Sequence, residues 1–132
     1  MNGVASETIN APIMIRVKRV YDQHEPDDGS RFLVDRLWPR GMKKENLRMD
    51  GWLKAVAPSD ALRRWFGHDP DKWDEFCLRY EAELESNAEA WLPVLDVARK
   101  RNITLLYGAH DIEHNNAVAL QSFIKKKLDD NF

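Results

Sequence analysis

The chain has 132 residues, 43% of them hydrophobic and 32% charged, and it contains five Trp. This length fits one domain, because single hydrophobic cores are typical of chains of ~100 to 150 residues. The apolar content excludes an intrinsically disordered protein. Twenty basic and 22 acidic residues give a net charge of -2, which lacks the strong positive field of a protein that coats nucleic acid. Nucleic acid is therefore not the favoured partner.

Cysteine usage and hydropathy indicate the compartment. Cys77 is the single cysteine and cannot form an internal disulfide, which is usual in a reducing environment. The chain has no apolar run of about 18 residues and no basic segment followed by an apolar one. These features predict a cytoplasmic protein without a membrane partner.

The first third of the chain predicts a leader and two strands. Residues 1–12 are small and polar without periodicity, so we expect a flexible leader before a single domain at 13–132. Residues 14–21 alternate apolar and basic side chains, which predicts the first strand. Residues 22–30 concentrate Asp, Pro and Gly, which predicts a loop. The apolar run at 32–37 predicts the second strand.

The middle of the chain has helical spacing. Residues 50–57 are interpreted as a short helix that ends at Pro58. Ser59 is the expected N-cap of a second helix at 60–66, and Gly67 suits the position after its end.

Two further helices and a strand follow. Asp69 as N-cap and Pro70 in the first turn predict the start of a long helix, and a second helical pattern covers 87–101. The apolar run at 103–107 is too short for a helix and predicts a strand buried on both faces. Residues 112–128 present apolar side chains at helical spacing.

A buried strand with helices before and after it predicts an α/β fold. We expect a small three-layer sandwich with a short, mostly parallel central sheet flanked by helices. Right-handed crossovers would then place the carboxyl ends of the strands along one rim, where open α/β sheets bind their ligands. The densest polar segments of the sequence follow the second and third predicted strands.

The first polar segment is DRLWPRG, after the second strand. Arg36 and Arg40 are candidates to bind an anion, since guanidinium groups bind carboxylates and phosphates in a bidentate manner. Trp38 is a candidate to stack on a ligand. The alternative is structural: both arginines pair with Asp35 and other carboxylates, and Trp38 belongs to the core.

The second polar segment is YGAHDIEHNN, after the third strand. Asp111 and His114 are a candidate acid/base pair, and Tyr107 and Asn115 are candidate ligand contacts. The alternative makes Asp111 a helix N-cap and His114 a residue of the first turn. His110 and His114 also match the H-x-x-E-H spacing of some zinc hydrolases. That match is weak, because Gly108 and the following residues place His110 before the helix.

Other candidates are less specific. Arg63 is a candidate third positive group, although it also suits a solvated helix face, and Asp22 either faces the rim or begins a turn. The sequence has no GxSxG, P-loop or GxGxxG motif, so it identifies no cofactor.

Five segments, RVYD, VDRLWPRG, WLKAVAPS, LRRWFGHDPDKW and LLYGAHDIEHNNAVAL, resemble the YeaO-like branch of the family called domain of unknown function 488. The resemblance covers residues 15–124 in order. It implies a small cytosolic α/β protein of bacteria or archaea and names no activity. His110 stands where the family looks more like Lys or Arg, which weakens the zinc interpretation. The positions that carry the family motifs are Tyr21, Asp22, Asp35, Arg36, Trp38, Pro39, Arg40, Gly41, Trp52, Ser59, Phe66, Gly67, His68, Tyr107, Asp111, His114 and Asn115.

The leading hypothesis is a domain that binds an anionic small molecule or nucleotide at the carboxyl rim of the sheet, either as a binder or as an enzyme using acid/base chemistry. One alternative is a module that binds RNA or a protein through exposed Trp and basic segments such as 63–64 and 125–127. Another alternative is a zinc-dependent hydrolase. The sequence does not indicate the oligomeric state.

Overall fold

The computed structural model of the protein describes residues 12–130. Four strands form one sheet in the spatial order β1-β4-β2-β3, and all three pairings are parallel. The strands are β1 (Ile15–Arg19), β2 (Ser30–Leu33), β3 (Gly51–Trp52) and β4 (Ile103–Tyr107). The expected leader, except Pro12, lies outside the described residues.

Four α-helices accompany the sheet, and none of them in this part of the chain is long and apolar enough to cross a membrane. They are α1 (Asp60–Phe66), α2 (Trp73–Glu85), α3 (Ala88–Ala98) and α4 (Asn116–Asp130). Short 3₁₀ turns lie at Pro26–Asp28, Lys44–Asn46, Lys54–Val56 and Pro70–Lys72.

The start and end of α1 confirm the capping predictions. The Ser59 hydroxyl accepts a hydrogen bond from the Leu62 amide at 3.1 Å, as an N-cap does. The Ser59 hydroxyl in turn donates to the Glu83 carboxylate at 2.6 Å, which joins the start of α1 to α2. Gly67 follows the helix with φ 56°, the left-handed conformation that glycine adopts without a Cβ clash.

All four helices contribute to one core with one face of the sheet. Strand β4 is buried along its whole length, which confirms the prediction for 103–107. Phe76 and Tyr80 of α2 are among the largest fully buried side chains, and the Tyr80 hydroxyl donates to the Val56 carbonyl at 2.6 Å. Trp91 of α3 meets Phe123 of α4 edge to face, with ring centroids 5.0 Å apart.

The opposite face of the sheet packs against irregular chain. Leu33 and Leu106 form a smaller apolar cluster with Leu47, and Trp38 and Trp52 pack against it. The fold is thus a small α/β sandwich with a short parallel central sheet, as predicted. Its third layer consists of loops and 3₁₀ turns, and the α-helices all belong to the other face.

The expectation of a helix at 50–57 is wrong. Gly51–Trp52 is the short strand β3, and the Leu53 amide continues the ladder by donating to the Leu33 carbonyl at 2.8 Å. A 3₁₀ turn at Lys54–Val56 follows. A two-residue strand has no periodicity of its own, so pairing with β2 decides its conformation against the helical spacing of the segment.

Other boundaries also differ from expectation, and β1 and α3 are shorter than predicted. Strand β2 is Ser30–Leu33 instead of 32–37, and the chain leaves the sheet after the Val34 amide donates to the Leu106 carbonyl at 3.0 Å. A 3₁₀ turn at Pro70–Lys72 precedes α2. Helix α4 begins at Asn116, because the Asn115 side chain caps it by accepting from the Val118 amide at 3.0 Å. Asp111 caps the turn before α4 instead.

A buried ionic network lies on the loop-covered side of the sheet. The Asp28 side chain is completely buried and accepts hydrogen bonds from Lys18 at 3.1 Å and from Arg31. The Asp28 carbonyl accepts from the hydroxyl of Thr104 in β4 at 2.8 Å. Burial favours the neutral acid, but the Glu25 amide together with Lys18 and Arg31 holds the pKa of Asp28 below its usual range.

We expect Asp28→Asn to lower the free energy of unfolding by about 3 to 5 kcal/mol, because it leaves buried cations without their counter-charge. Chemical denaturation at pH 7 measures the change. Asp27→Asn is the matched control, since its side chain is 63% exposed and pairs only with Arg16. Asp27→Asn should lower the free energy of unfolding by about 1 kcal/mol or less.

The loss of unfolding free energy in Asp28→Asn should depend on pH in a defined direction. A carboxyl whose folded pKa is depressed stabilises the fold above its unfolded pKa of about 3.9 and loses that contribution as the pH falls through the folded value. The difference between wild type and Asp28→Asn should therefore be full near pH 7 and shrink below about pH 4. A difference that stays constant down to pH 2 would contradict this account of Asp28.

Candidate ligand-binding site

A cavity of about 600 Å³ opens at the carboxyl ends of β1, β2 and β4. Its volume falls within the range of roughly 300 to 1,000 Å³ that small-molecule sites occupy. Both polar segments singled out in the sequence line it. The first contributes Arg36, Trp38 and Arg40, and the second contributes His114 and Asn115.

Positive charge dominates the wall of the cavity. Four arginines line it, whereas Asp35 is the single carboxylate among its described lining residues. The four are Arg19, Arg36, Arg40 and Arg63. The rest of the wall is largely apolar and includes Pro39, Phe66 and Phe76, so the site offers cations on an apolar surface.

Arg19 is the last residue of β1 and joins two strand ends. Its guanidinium donates to the Ala109 carbonyl at 2.9 Å and to the Gly108 carbonyl at 3.4 Å. It also lies over the Tyr21 ring, 4.7 Å from the centroid. Two carbonyls thus fix Arg19 within the rim.

Arg36 and Arg63 share a carboxylate at the edge of the cavity. Arg36 lies 3.5 Å from Asp60 and donates to the Pro58 carbonyl at 3.3 Å, and Arg63 lies 3.0 Å from Asp60. Both pairs are partly exposed, so they contribute little to stability. Arg63 also lines the cavity, and its contact with a ligand stays a prediction.

Arg40 lines the cavity, and its side chain is exposed. Among residues 12–130 no carboxylate lies within ion-pair distance of its guanidinium, although its backbone is fixed by the Tyr21 hydroxyl, which donates to the Arg40 carbonyl at 2.6 Å. Gly41 turns the chain with φ 77° directly after it. The Tyr21 hydroxyl thus fixes the backbone at Arg40, while the Arg40 guanidinium has no ion-pair partner among residues 12–130.

Trp38 packs against the smaller apolar cluster and also lines the cavity, and its stacking on a ligand stays a prediction. Its indole N–H donates to the Met42 carbonyl at 2.6 Å, and its ring meets Trp52 edge to face at 5.3 Å. These contacts belong to the smaller apolar cluster, while another part of Trp38 lines the cavity. The ring is therefore a fixed wall.

Asp35 is held at the rim by the neighbouring strand. Its Oδ2 accepts a hydrogen bond from the Gly108 amide at 2.9 Å. A Cβ at Gly108 would lie 3.4 Å from that oxygen and 3.6 Å from Pro39, both ordinary van der Waals distances. Burial raises the pKa of Asp35, and the Gly108 amide, Asn116 and His68 offset this only in part.

His114 is oriented from two sides. Its Nδ1 lies 2.9 Å from Asp111 Oδ2, and its ring meets Trp73 edge to face at 5.3 Å. The Glu113 amide and the His114 ring hold the pKa of Asp111 below its usual range. Asp111 does not line the cavity, so it reaches a ligand only through His114, whose Nε2 has no hydrogen-bond partner in the described chain.

Three other candidates from the sequence serve the frame of the site. Tyr107 is buried, and that burial, followed by the charge of Asp22, raises its pKa. Asp22 accepts from the Arg19 amide at 2.9 Å and forms a turn. Neither Tyr107 nor Asp22 lines the cavity. Asn115 lines it, but its amide N–H donates to the Asp111 carbonyl at 2.9 Å and its oxygen caps α4.

Several lining residues were not among the candidates for ligand contact, although Tyr21 and His68 are family-motif positions. Arg19 ends β1 and Tyr21 lies in the turn after it, at the same rim as the two polar segments, so the parallel topology itself was the available signal. Asn116 donates from its side chain to the Val34 carbonyl at 2.9 Å. His68 lines the cavity with φ 58°, a left-handed conformation that is uncommon outside glycine.

Metal binding was considered for His110 and His114. Both line the cavity, and His110 is exposed. Within residues 12–130 no group of three or more His, Cys, Asp or Glu side chains is placed to hold a metal ion.

The family model described as "Inactive DUF488-N3 subclade" matches residues 14–132. The chain belongs to this family. It is 41% identical to the uncharacterised protein YeaO of Escherichia coli K12 over 111 residues, which cover 84% of this chain and 96% of YeaO.

A second group of relatives comes from mycobacteria. The uncharacterised proteins Rv3073c of Mycobacterium tuberculosis H37Rv and Mb3100c of Mycobacterium bovis are each 51% identical over 74 residues. That match covers 56% of this chain and 63% of each mycobacterial protein. The chain thus matches less than two thirds of these relatives' length. No solved structure matches the chain significantly.

The raised pKa of Asp35 predicts the stability of Asp35→Asn. A carboxyl whose folded pKa is raised stabilises the fold below its unfolded pKa of about 3.9 and loses that contribution as the pH rises through the folded value. The asparagine oxygen can still accept from Gly108. We therefore expect Asp35→Asn to have a higher Tm than wild type at pH 7, with the gap closing toward pH 4.

Asp111→Asn is the matched control of opposite sign, since the pKa of Asp111 is lowered. Its Tm should fall below that of wild type at pH 7 and approach it as the pH falls below about 4. Thermal melts across pH 3 to 8 compare the three proteins. An Asp35→Asn protein that is less stable than wild type at every pH would contradict the interpretation of Asp35.

Proposed function

We propose that the rim cavity binds an anionic small molecule such as a nucleotide. The observation that carries the proposal is the charge of the wall, where four arginines face one carboxylate whose own pKa is raised. A guanidinium binds phosphate or carboxylate oxygens in a bidentate manner, and its interaction is strengthened where apolar walls exclude water.

The arginines differ in how they would contribute. Arg40 has no carboxylate partner in the described chain and would bind the anion without breaking an existing ion pair. Arg36 and Arg63 would bind it by exchanging part of their contact with Asp60. Arg19 is held by backbone carbonyls and would act by its charge. The apolar wall would take the remainder of the ligand.

His114 would supply a further contact. With Nδ1 bonded to Asp111, the neutral ring presents Nε2 as an acceptor, and the protonated ring presents it as a donor to an anion. This is also the geometry of an acid/base pair. The description of the family as an inactive subclade supports binding without turnover for this chain.

A nucleic-acid or protein-binding role has weaker support. The basic segment 125–127 lies on α4, where Lys126 pairs with Glu81 at 2.9 Å and Lys127 pairs with Glu85 at 3.0 Å. Its charge is thus partly neutralised within the fold.

We further propose that the protein is cytoplasmic, which the single cysteine supports.

The test is a thermal-shift screen of inorganic pyrophosphate and nucleoside monophosphates. A ligand at 100 times its Kd stabilises the fold by ~2.7 kcal/mol, which raises Tm by several degrees at this size. We expect Arg40→Ala to reduce the shift strongly. Arg64→Ala is the matched control, because Arg64 is exposed on α1 and does not line the cavity, and it should leave the shift intact.

Two results would contradict the proposal. One is the absence of any shift with every anion tested. The other is an equal loss of shift in Arg40→Ala and Arg64→Ala, which would indicate diffuse surface binding. A steep fall of RNA affinity with salt, with no response to mononucleotides, would favour the nucleic-acid alternative.

A further inference from the structure

Asp35 has an unusual position in the cavity. It is the single carboxylate among the described lining residues, and four arginines line the same space, yet none of the ion pairs of residues 12–130 includes Asp35. Arg36, its chain neighbour, is directed to Asp60 and Pro58. The fold thus keeps a carboxyl group at the rim without neutralising it by the nearest cations.

We propose that Asp35 and His68 form a second recognition point in the cavity, which binds an amino group carried by the same anionic ligand. This inference rests on the proposed function. It narrows the ligand class to anions that also carry an amino group, such as an aminated nucleobase monophosphate or a phosphorylated amine.

The carboxyl of Asp35 is fixed from three strands. Its chain leaves β2, its Oδ2 accepts from Gly108 after β4, and its carbonyl accepts from the indole N–H of Trp52 in β3 at 2.7 Å. A carboxylate has two oxygens with about four lone-pair sites, and the Gly108 amide and the Asn116 side chain use part of them. Acceptor capacity therefore remains on a group whose Oδ2 is held in place.

The electrostatic state of Asp35 favours such a ligand. Burial raises its pKa, which means that the charged carboxylate is incompletely compensated by the protein. An amino group that donates to it would supply the missing compensation, since hydrogen bonds to an ionised acceptor are stronger than neutral ones. A ligand without a hydrogen-bond donor would bring its own negative charge near the Asp35 carboxylate and would therefore bind more weakly.

His68, which lines the same cavity, has a strained backbone conformation. It follows Gly67 (φ 56°) and has φ 58° itself, the single non-glycine residue with positive φ in the described chain. Such conformations persist in β-carbon residues where the surroundings impose them, and they cluster at binding sites. His68 lines the same cavity as Asp35, and a positive charge on its ring would favour the ionised form of Asp35. The backbone strain therefore falls at a residue of the cavity wall.

The experiment compares phosphorylated ligands that carry an amino group with partners that have a hydrogen or a carbonyl oxygen in its place. The probes are GMP with IMP, AMP with IMP, CMP with UMP, and phosphoethanolamine with ethyl phosphate, each titrated into the full chain by NMR or calorimetry. We expect wild type to prefer the aminated member of at least one pair by about tenfold, the scale of one hydrogen bond to a charged group.

Asp35→Asn is the decisive variant. It keeps an oxygen for the Gly108 amide but replaces the remaining acceptor with an amide N–H. We expect the preference to disappear, because the aminated probe binds more weakly while its partner binds as tightly as to wild type or more tightly. Retained binding of the second probe shows that the variant is folded.

His68→Gly is the second variant and needs no change in Asp35. Removing the strained side chain should raise Tm and lower the preference for the aminated probe several-fold. His68→Asn is the control for His68→Gly. Asparagine tolerates the left-handed conformation but lacks the imidazole, so it separates the effect of backbone strain on Tm from the loss of the ring. A higher Tm with an unchanged preference would overturn the assignment of His68.

The outcomes separate the two proposals. If wild type binds both members of every pair equally, the anion site stands and the amino-group site is wrong. If Asp35→Asn weakens both members to the same extent, Asp35 supports the fold of the cavity without selecting the ligand, and the inference is overturned. If wild type binds none of the probes, the anion site itself fails and this inference fails with it.

Discussion

The site depends on the position of β4 in the middle of a parallel sheet. This strand pairs with β1 on one side and β2 on the other, and it is buried throughout. Because all strands run in the same direction, the residues after each of them reach the same rim. The Gly108 amide then donates to Asp35 at 2.9 Å, and the Arg19 side chain donates to the Ala109 carbonyl at 2.9 Å. These two contacts tie the three strand ends together around the cavity.

The loop-covered face of the sheet and its carboxyl rim hold buried carboxyl groups in opposite ways. On the loop-covered side, Asp28 is satisfied by Lys18, Arg31 and the Glu25 amide, and its pKa is lowered. At the rim, Asp35 has a backbone partner, and its pKa is raised. The first arrangement is that of a structural network, whose charges are matched inside the protein. The second is the arrangement that the proposed ligand site would need, because the carboxyl charge is not matched by an ion pair among the described residues.

The sequence predicts the parts of the fold whose residues carry their own signal. Strand β4 is a continuous apolar run, and α1 begins at an N-cap serine and ends before a glycine. Strand β3 has no such signal, since pairing with β2 alone makes Gly51–Trp52 a strand. The start of α4 was misplaced because Asp111 and Asn115 are both good caps, and only the fold shows that Asn115 caps the helix.

The same distinction applies to the site. Arg36, Arg40 and His114 could be singled out because each stands in a dense polar segment after a strand. Arg19 could not, since in the sequence it is one of several basic residues of an alternating strand. His68 required the backbone angles, which no residue pattern displays. Topology, more than composition, therefore decides which charges meet.

The most direct test of the rim cavity as an anion site is an NMR titration that observes the arginine side-chain N–H groups and the Gly108 amide while a nucleoside monophosphate is added. The account predicts saturable shifts for Arg36, Arg40 and Gly108, with Arg31 unchanged, because its Nε donates to the Arg48 carbonyl at 2.7 Å beneath the other face of the sheet. Shifts spread evenly over exposed arginines, with Gly108 unmoved, would contradict it.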